Sequence, residues 1–318
     1  MKYIETLHEG ERISNIYLCK QRTSAVTKNG KPYENVILRD KTGSIDGKIW
    51  EPGSQGIDEF DNLDYVDVVA DVISFNGALQ LNIKRIRKVA EGEYNPADYL
   101  PVSSKDIDTM YGELTGLINS VKNEYFNKLL KMFFLEDEEF IRIFKSHSAA
   151  KSVHHSFVGG LLEHTLSVAK MCDYFSKTYP VLNRDLLITA AIFHDIGKIK
   201  ELAAFPVNDY TDVGQLLGHI IIGTEMISEK INSIPGFPVV MASELKHCIL
   251  AHHGELEYGS PKKPAIAEAM ALNLADNADA KLETMTEMLG SSSQTETQWL
   301  GYNRFFESNI KKTSSGEI

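Results

Sequence analysis

At 318 residues, 43% of them hydrophobic and 24% charged, the chain holds enough apolar material for about two packed domains, and disorder is excluded as its dominant state. No apolar run reaches the ~20 residues that span a bilayer, and a net charge of −11 excludes a basic nucleic-acid clamp of the usual kind. Residues 1–100 carry 13 basic and 16 acidic side chains and the remainder 20 and 28, so any nucleic acid must be met by a local patch or by bound cations.

The first ~90 residues read as strands. Val36 and Leu38, then Ile45, Gly47 and Ile49, alternate around the turn Asp40-Lys41-Thr42-Gly43. Asn29-Gly30 and Asn76-Gly77 are strong hairpin signals, because both residue types tolerate positive φ. Leu79, Leu81 and Ile83 alternate after the second, residues 65–73 form a Val-rich strand, and residues 51–64 an irregular connection. About five short strands in this length suit a small barrel such as an OB fold. Tyr17, Tyr33, Trp50 and Phe75 are candidates for stacking on bases, at least half of them expected to fill the barrel instead. Lys84, Arg85, Arg87 and Lys88 form a basic run that is either a solvated strand end or a phosphate-tracking patch.

Residues 94–104, with Pro96, Pro101 and two serines, read as a linker. From Lys105 the period becomes helical: Ile107, Met110, Tyr111, Leu114, Leu117, Ile118 and Val121 recur at i, i+3, i+4 and i+7. Further helices are expected near 125–134, 137–145, 159–178, 184–195, 215–233, 239–252 and 264–289, with Asn183 capping one start. Residues 311–318 are expected to fray. The three cysteines, Cys19, Cys172 and Cys248, are odd in number and form no C-x-x-C pair. That disfavours a disulfide scaffold or thiolate zinc site and favours a reducing cytoplasm. Residues 1–6 have no apolar signal core.

Nine of the ten histidines lie in the helical part. His164 follows Gly159-Gly160-Leu161-Leu162-Glu163, and His194-Asp195 closes a helix before Ile196-Gly197-Lys198. His219 opens a helix, His252-His253 end one, and Asp276 lies mid-helix. A lone histidine near a helix end is usually a cap or a core residue. Asp276 can be read as solvated, as Asp279 three residues on is expected to be. The joint pattern is different: five helices each offer a His or Asp beside apolar stretches such as residues 188–193, where charged groups need a partner or a metal. Imidazole with carboxylate suits manganese, iron, zinc, nickel or cobalt.

This pattern resembles the HD superfamily of metal-dependent phosphohydrolases, which implies that His164, His194-Asp195 and Asp276 are its defining residues and that His219 and the His252-His253 doublet are the additions of its two-metal branch. With the N-terminal barrel, the chain is similar to the YhaM-type 3′-5′ exoribonucleases of Gram-positive bacteria. The resemblance implies an α+β multidomain protein: an OB-fold domain over 1–92, a linker and connector helices over 93–146, an all-α HD domain over 147–290 and an extension over 291–318. It further implies a hydrolase that turns single-stranded RNA, and alternatively single-stranded DNA, into nucleoside 5′-monophosphates at two divalent ions, with manganese favoured. Asp195 would bridge the ions; His164, His194 and Asp276 would complete one site, and His219, His252 and His253 would serve the other. Lys198 could reach a phosphate or leaving oxygen. His154 or His155 could contact a terminal phosphate, with a structural role as the alternative. In the barrel, Tyr33, Trp50, Phe75, Lys84 and Arg85 are the candidate substrate contacts. Two rival readings remain: a phosphohydrolase of small nucleotides or cyclic dinucleotides, and a non-catalytic nucleic-acid-binding protein. No membrane association is expected, and a homo-oligomer is left open, because the apolar helices over 105–145 could pack between subunits or within the chain.

Overall fold

The N-terminal alternation resolves into five strands: β1 (Arg12–Val26), β2 (Pro32–Asp40), β3 (Gly43–Ile49), β4 (Tyr65–Phe75) and β5 (Ala78–Lys88). The computed structural model describes all residues except 1, 28, 91, 96–97, 101, 152–154, 292–297 and 315–318, with residues 290–291 described by backbone only. The strands close into a barrel in the order β1-β2-β3-β5-β4. β1 pairs with both β2 and β4, and the β3–β5 pair alone is parallel. This is the five-stranded Greek-key barrel of the OB fold. Its core is built from the alternating inward residues, among them Val36, Leu38, Ile45, Ile49, Val66, Val68, Leu81 and Ile83. Tyr17 is fully buried with them, so this stacking candidate is a core residue. At the β2–β3 turn, buried Asp40 accepts from the backbone N–H groups of Thr42 at 2.8 Å and Gly43 at 3.2 Å. Asn76 and Gly77 both take positive φ, 51° and 81°, which sets the β4–β5 hairpin with Phe75 opposite Ala78.

The chain divides into two units, Met1–Ser104 with Ala204–Asn208, and Lys105–Ala203 with Asp209–Ile318. The second contains α1 (Ile107–Ser120), α2 (Glu124–Phe134), α3 (Glu138–Ser146), α4 (Gly160–Thr178), α5 (Arg184–Phe193), α6 (Lys198–Glu201), α7 (Asp212–Asn232), α8 (Val239–Leu250), α9 (Ala267–Ser291) and a hairpin of β6 (Trp299–Asn303) and β7 (Ser308–Lys311). Side-chain caps fix the starts: Asp106, Asn123, Asp137, Asn183 and Thr211 each accept a backbone N–H from the first turn of the following helix. The helices over 105–146 do not form a separate connector. Leu114, Ile118, Phe126, Leu129, Phe134 and Phe144 share one hydrophobic cluster with α4, α5, α8 and α9, so their apolar faces are satisfied within the chain. α5 is the inner helix, touching α1, α2, α4, α8 and α9, and every residue from Leu186 to Phe193 is buried. Its uniform apolarity is what a helix surrounded on all sides requires, and it delivers His194-Asp195 to the middle of the unit. Among the described residues no helix is long and apolar enough to cross a membrane.

Candidate metal centre and nucleic-acid interface

Asp195 lies just beyond the end of α5 and is almost wholly buried. Its two carboxylate oxygens face different groups. Oδ2 lies 3.3 Å from His164 Nε2 and 3.4 Å from His194 Nε2. Asp276 Oδ1 is in turn 3.2 Å from His164 Nε2, so His164, His194 and Asp276 converge on that side. Oδ1 of Asp195 points the other way, 3.4 Å from His219 Nε2 and 3.7 Å from His252 Nε2, where His219, His252 and His253 converge. The six helical-unit residues expected from the sequence thus stand as two trios, one on each side of the Asp195 carboxylate.

Each ring is aimed by its other nitrogen. The Nδ1 of His194 meets the Ala191 carbonyl at 2.8 Å, and that of His252 the Ile249 carbonyl at 2.7 Å. His253 Nδ1 meets the Tyr258 carbonyl at 2.9 Å, His219 Nδ1 meets Glu201 Oε1 at 3.0 Å, and His164 Nδ1 meets Asp279 Oδ2 at 2.7 Å. An acceptor on Nδ1 places that ring's N–H there and turns the Nε2 lone pair inward, the arrangement that fixes metal-binding histidines.

Three buried atoms facing the Oδ1 side, Asp195 Oδ1, His219 Nε2 and His252 Nε2, have no hydrogen-bond partner. Leaving such atoms unpaired costs about 1–3 kcal/mol each, a cost that a cation among them removes. Atoms ~2.1 Å from a common ion lie about 3–4 Å apart, the spacing found here. The donor set therefore fits divalent ions on both faces of Asp195.

The charges agree. Burial opposes ionisation of Asp195, but Lys198, His194 and His164 outweigh it and hold the carboxyl well below its ordinary range. Burial and the neighbouring His253 and His194 hold His252 well below the usual imidazole range, so its ring is neutral at pH 7, the form that a metal ligand requires. His164 is the exception: burial pushes it down, yet Asp195, Asp276 and Asp279 together raise it well above that range. Lys198 Nζ lies 2.7 Å from Asp195 Oδ2 and is largely enclosed, not solvated.

Asp279 corrects an expectation. It is buried, not solvated, and receives both His164 Nδ1 and, at 3.0 Å, His155 Nε2. Its spacing of three from Asp276 on α9 puts both carboxylates on one helix face, a signal that was present in the sequence. His155 is also buried and committed to Asp279, so it supports the ring of His164 and offers no surface to a terminal phosphate. His154 lies outside the described residues. Glu201, which had no signal beyond being an acid in a short helix, accepts both the backbone N–H and the ring of His219. It can do so because Gly218, at φ 73° and ψ 158°, breaks α7 and lets His219 begin a new helical segment.

Gly197 sets the approach of that segment. A Cβ there would sit 2.0 Å from the His219 carbonyl oxygen and 2.7 Å from the Gly223 nitrogen, both backbone atoms. Gly197→Ala is expected to push α7 outward, cost about 1–3 kcal/mol and reduce binding on the Oδ1 side of Asp195. Metal content and thermal unfolding of the purified variant check this; an unchanged melting temperature with full metal content would refute it.

The trios open into a cavity of about 690 Å³, within the range of small-molecule sites, lined by His164, Asp195, Lys198, His253, Tyr258 and Asp276 among others.

The barrel's candidate contacts fall apart into separate places. Tyr33 and half-exposed Trp50 stack on each other, centroids 5.2 Å apart and planes at 30°, with Lys48 Nζ 5.4 Å from the Tyr33 ring. Phe75 is exposed but belongs to the β4–β5 hairpin. The parallel register Asp46↔Gln80 puts that hairpin at the start of β3, whereas Trp50 follows its end, roughly 20 Å along the strand at ~3.3 Å per residue. The three rings are not one platform. The basic run is largely matched by acids: Lys84 lies 3.8 Å from Asp71, Arg87 3.2 Å from Asp67, and Lys88 2.7 Å from Asp64. A bulge between Val69 and Ala70 opposite β5 turns both Lys84 and Arg85 outward. Among the described residues Arg85 alone of the four has no carboxylate partner, which narrows the expected patch to one side chain.

Residues 161–281 match the HD domain family. Over 287 residues the chain is 35% identical to the "3'-5' exoribonuclease YhaM" of Bacillus subtilis, covering 89% of this chain and 90% of that protein. The chain belongs to the YhaM family of 3′-5′ exoribonucleases. A second member, from Geobacillus sp., is 34% identical over 283 residues, covering 88% of this chain and 86% of its own length. Among solved structures, the second OB-fold domain of replication protein A from Methanococcus maripaludis aligns over 30% of this chain and all of that domain, at 21% identity and a TM-score of 0.24. The HD match contains the residues of both trios, and the family's shared length takes in both the barrel and the helical unit.

Proposed function

We propose that the protein is a metal-dependent 3′-5′ exoribonuclease that removes nucleotides one at a time from the 3′ end of single-stranded RNA, accepts single-stranded DNA as well, and releases nucleoside 5′-monophosphates. The observation that carries this reading is the Asp195 carboxylate, one oxygen to each trio, with unpaired buried ligand atoms around it. His164, His194 and Asp276 would hold one divalent cation and His219, His252 and His253 the other, with Asp195 shared; mixed imidazole and carboxylate donors suit manganese. Cations bound there polarise a phosphodiester and make water nucleophilic at neutral pH. Lys198 holds its charge beside Asp195, where it can compensate a phosphate oxygen or the 3′-oxygen that leaves with the shortened chain. Cleavage of the bond from phosphorus to that 3′-oxygen keeps the phosphate on the 5′ side of the released nucleotide. The three buried thiols suit a reducing cytoplasm.

The barrel supplies affinity without sequence preference, through Trp50 stacked on Tyr33. Trp50→Ala is expected to weaken single-strand binding by about 1–3 kcal/mol, read by fluorescence anisotropy of a labelled RNA; an unchanged affinity would remove this ring from the interface. The reading as a whole is tested by incubating 5′-labelled RNA with the protein and manganese. Single-nucleotide shortening from the 3′ end supports it. Intact RNA together with hydrolysis of mononucleotides or cyclic dinucleotides would replace it with a small-nucleotide phosphohydrolase.

A further inference from the structure

The β6–β7 hairpin lies outside the HD match, and its tip forms part of the cavity wall. Arg304 and Phe305 line the cavity that holds His164, Asp195 and Lys198, and Lys281 of α9 lines it as well. The tip is a built turn. The Asn303 side chain accepts from the backbone N–H groups of Phe305 at 2.8 Å and Phe306 at 3.1 Å, and its amide meets Met288 of α9 at 3.2 Å. Phe306 meets Phe305 edge to face at 5.0 Å, and Ile310 is buried beneath the hairpin. The turn is thus braced on α9, yet Phe305 remains more than half exposed, at 56%. Arg304 has no carboxylate partner among the described residues. A fixed apolar ring, with two cations beside it, at the mouth of a charged cavity matches the chemistry of a nucleotide: a base with two π-faces and a phosphate.

We propose that this hairpin is a clamp for the nucleotide at the chain end, with Phe305 stacking on its base and Arg304 and Lys281 contacting phosphate. The clamp rests on the exonuclease reading for its place in the reaction, but not for its binding property. It makes no hydrogen bonds to base edges, so it tolerates every base and favours any unpaired one.

Isothermal titration of the metal-loaded protein with adenosine 5′-monophosphate and with ribose 5-phosphate tests it, because neither probe needs to be cleaved. A stacked base is worth roughly tenfold or more in affinity, so the nucleotide is expected to bind at least that much more tightly than the sugar phosphate. Phe305→Ala should abolish the difference and Phe305→Trp should preserve it, which a merely structural role for the ring would not do. Arg304→Ala should weaken both ligands by a similar factor. Equal affinities for the two ligands in the wild-type protein, or undiminished discrimination in a folded Phe305→Ala variant, would overturn the clamp. If the nucleotide is clamped but RNA stays intact, the clamp stands and the exonuclease reading fails.

Discussion

Asp195→Ala should lose RNA hydrolysis altogether, a fall on the order of a thousandfold or more. Loss of a partner that only orients a ligand costs about 10–100-fold, and Asp195 is a partner of both trios at once. No other carboxylate among the described residues lies between them, so nothing can substitute. The variant should bind less than one equivalent of divalent ion, and it should be less stable, because Lys198 loses its buried counter-charge. Asp195→Asn keeps the shape and one acceptor for Lys198 but not the counter-charge: metal loss and inactivity should persist while the melting temperature recovers only in part. Metal content, thermal unfolding and RNA shortening are the three measurements. Full activity of either variant with manganese would show that Asp195 is not shared.

The second large effect concerns topology of the substrate. The proposed ligands are deep: His194 and His252 are fully buried and Asp195 nearly so, and a cavity opens beside them. A free end can enter such a cavity, whereas a closed loop must present two strands to it. A circular single-stranded RNA should therefore survive at least a hundred times longer than its linear counterpart, a bound set by the roughly hundredfold losses that misplacement of reacting groups causes. A stable stem should stall shortening a few nucleotides before the paired region. Comparing circular and linear RNA of one sequence on a denaturing gel decides the matter. Equal rates would make the enzyme an endonuclease.

The helical unit was legible in the sequence because its signals are local. Apolar spacing located every helix of the unit within a few residues except the four-residue α6, which is too short to show a period, and side-chain caps such as Asn183 are visible as residue types. The six residues of the two trios were legible with Asp195 because several imidazoles and carboxylates beside apolar runs must be buried together, and burial demands that they pair or hold a metal. The supports were not. Glu201 and Asp279 are surface-type residues by composition, and only the fold buries them against His219 and His164. The barrel was legible where turns are chemically explicit, at Asp40 and at Asn76-Gly77. β1 was less so: its 15 residues change partner from β4 to β2, with a bulge between Cys19 and Gln21 that breaks the alternation. No strand was expected for β7, a four-residue strand with one buried side chain, Ile310, and hence almost no periodicity to read; of the segment expected to fray it takes in only Lys311.

The acceptors of the ring nitrogens divide the histidines into two kinds. His194 and His252 donate to carbonyls three residues back, Ala191 and Ile249, which lie in the last turns of α5 and α8. Those carbonyls are among the four that a helix leaves unsatisfied at its C-terminal end. The two rings therefore also act as caps, and replacing either should loosen a helix terminus as well as empty a proposed ligand position. His164 and His219 rely on the side chains of Asp279 and Glu201. Their basicity can be adjusted by exchanging a distant acid for an amide, with every helix end left closed. Of the histidines here, those two are the ones at which affinity for the ion can be tuned separately from the integrity of the fold.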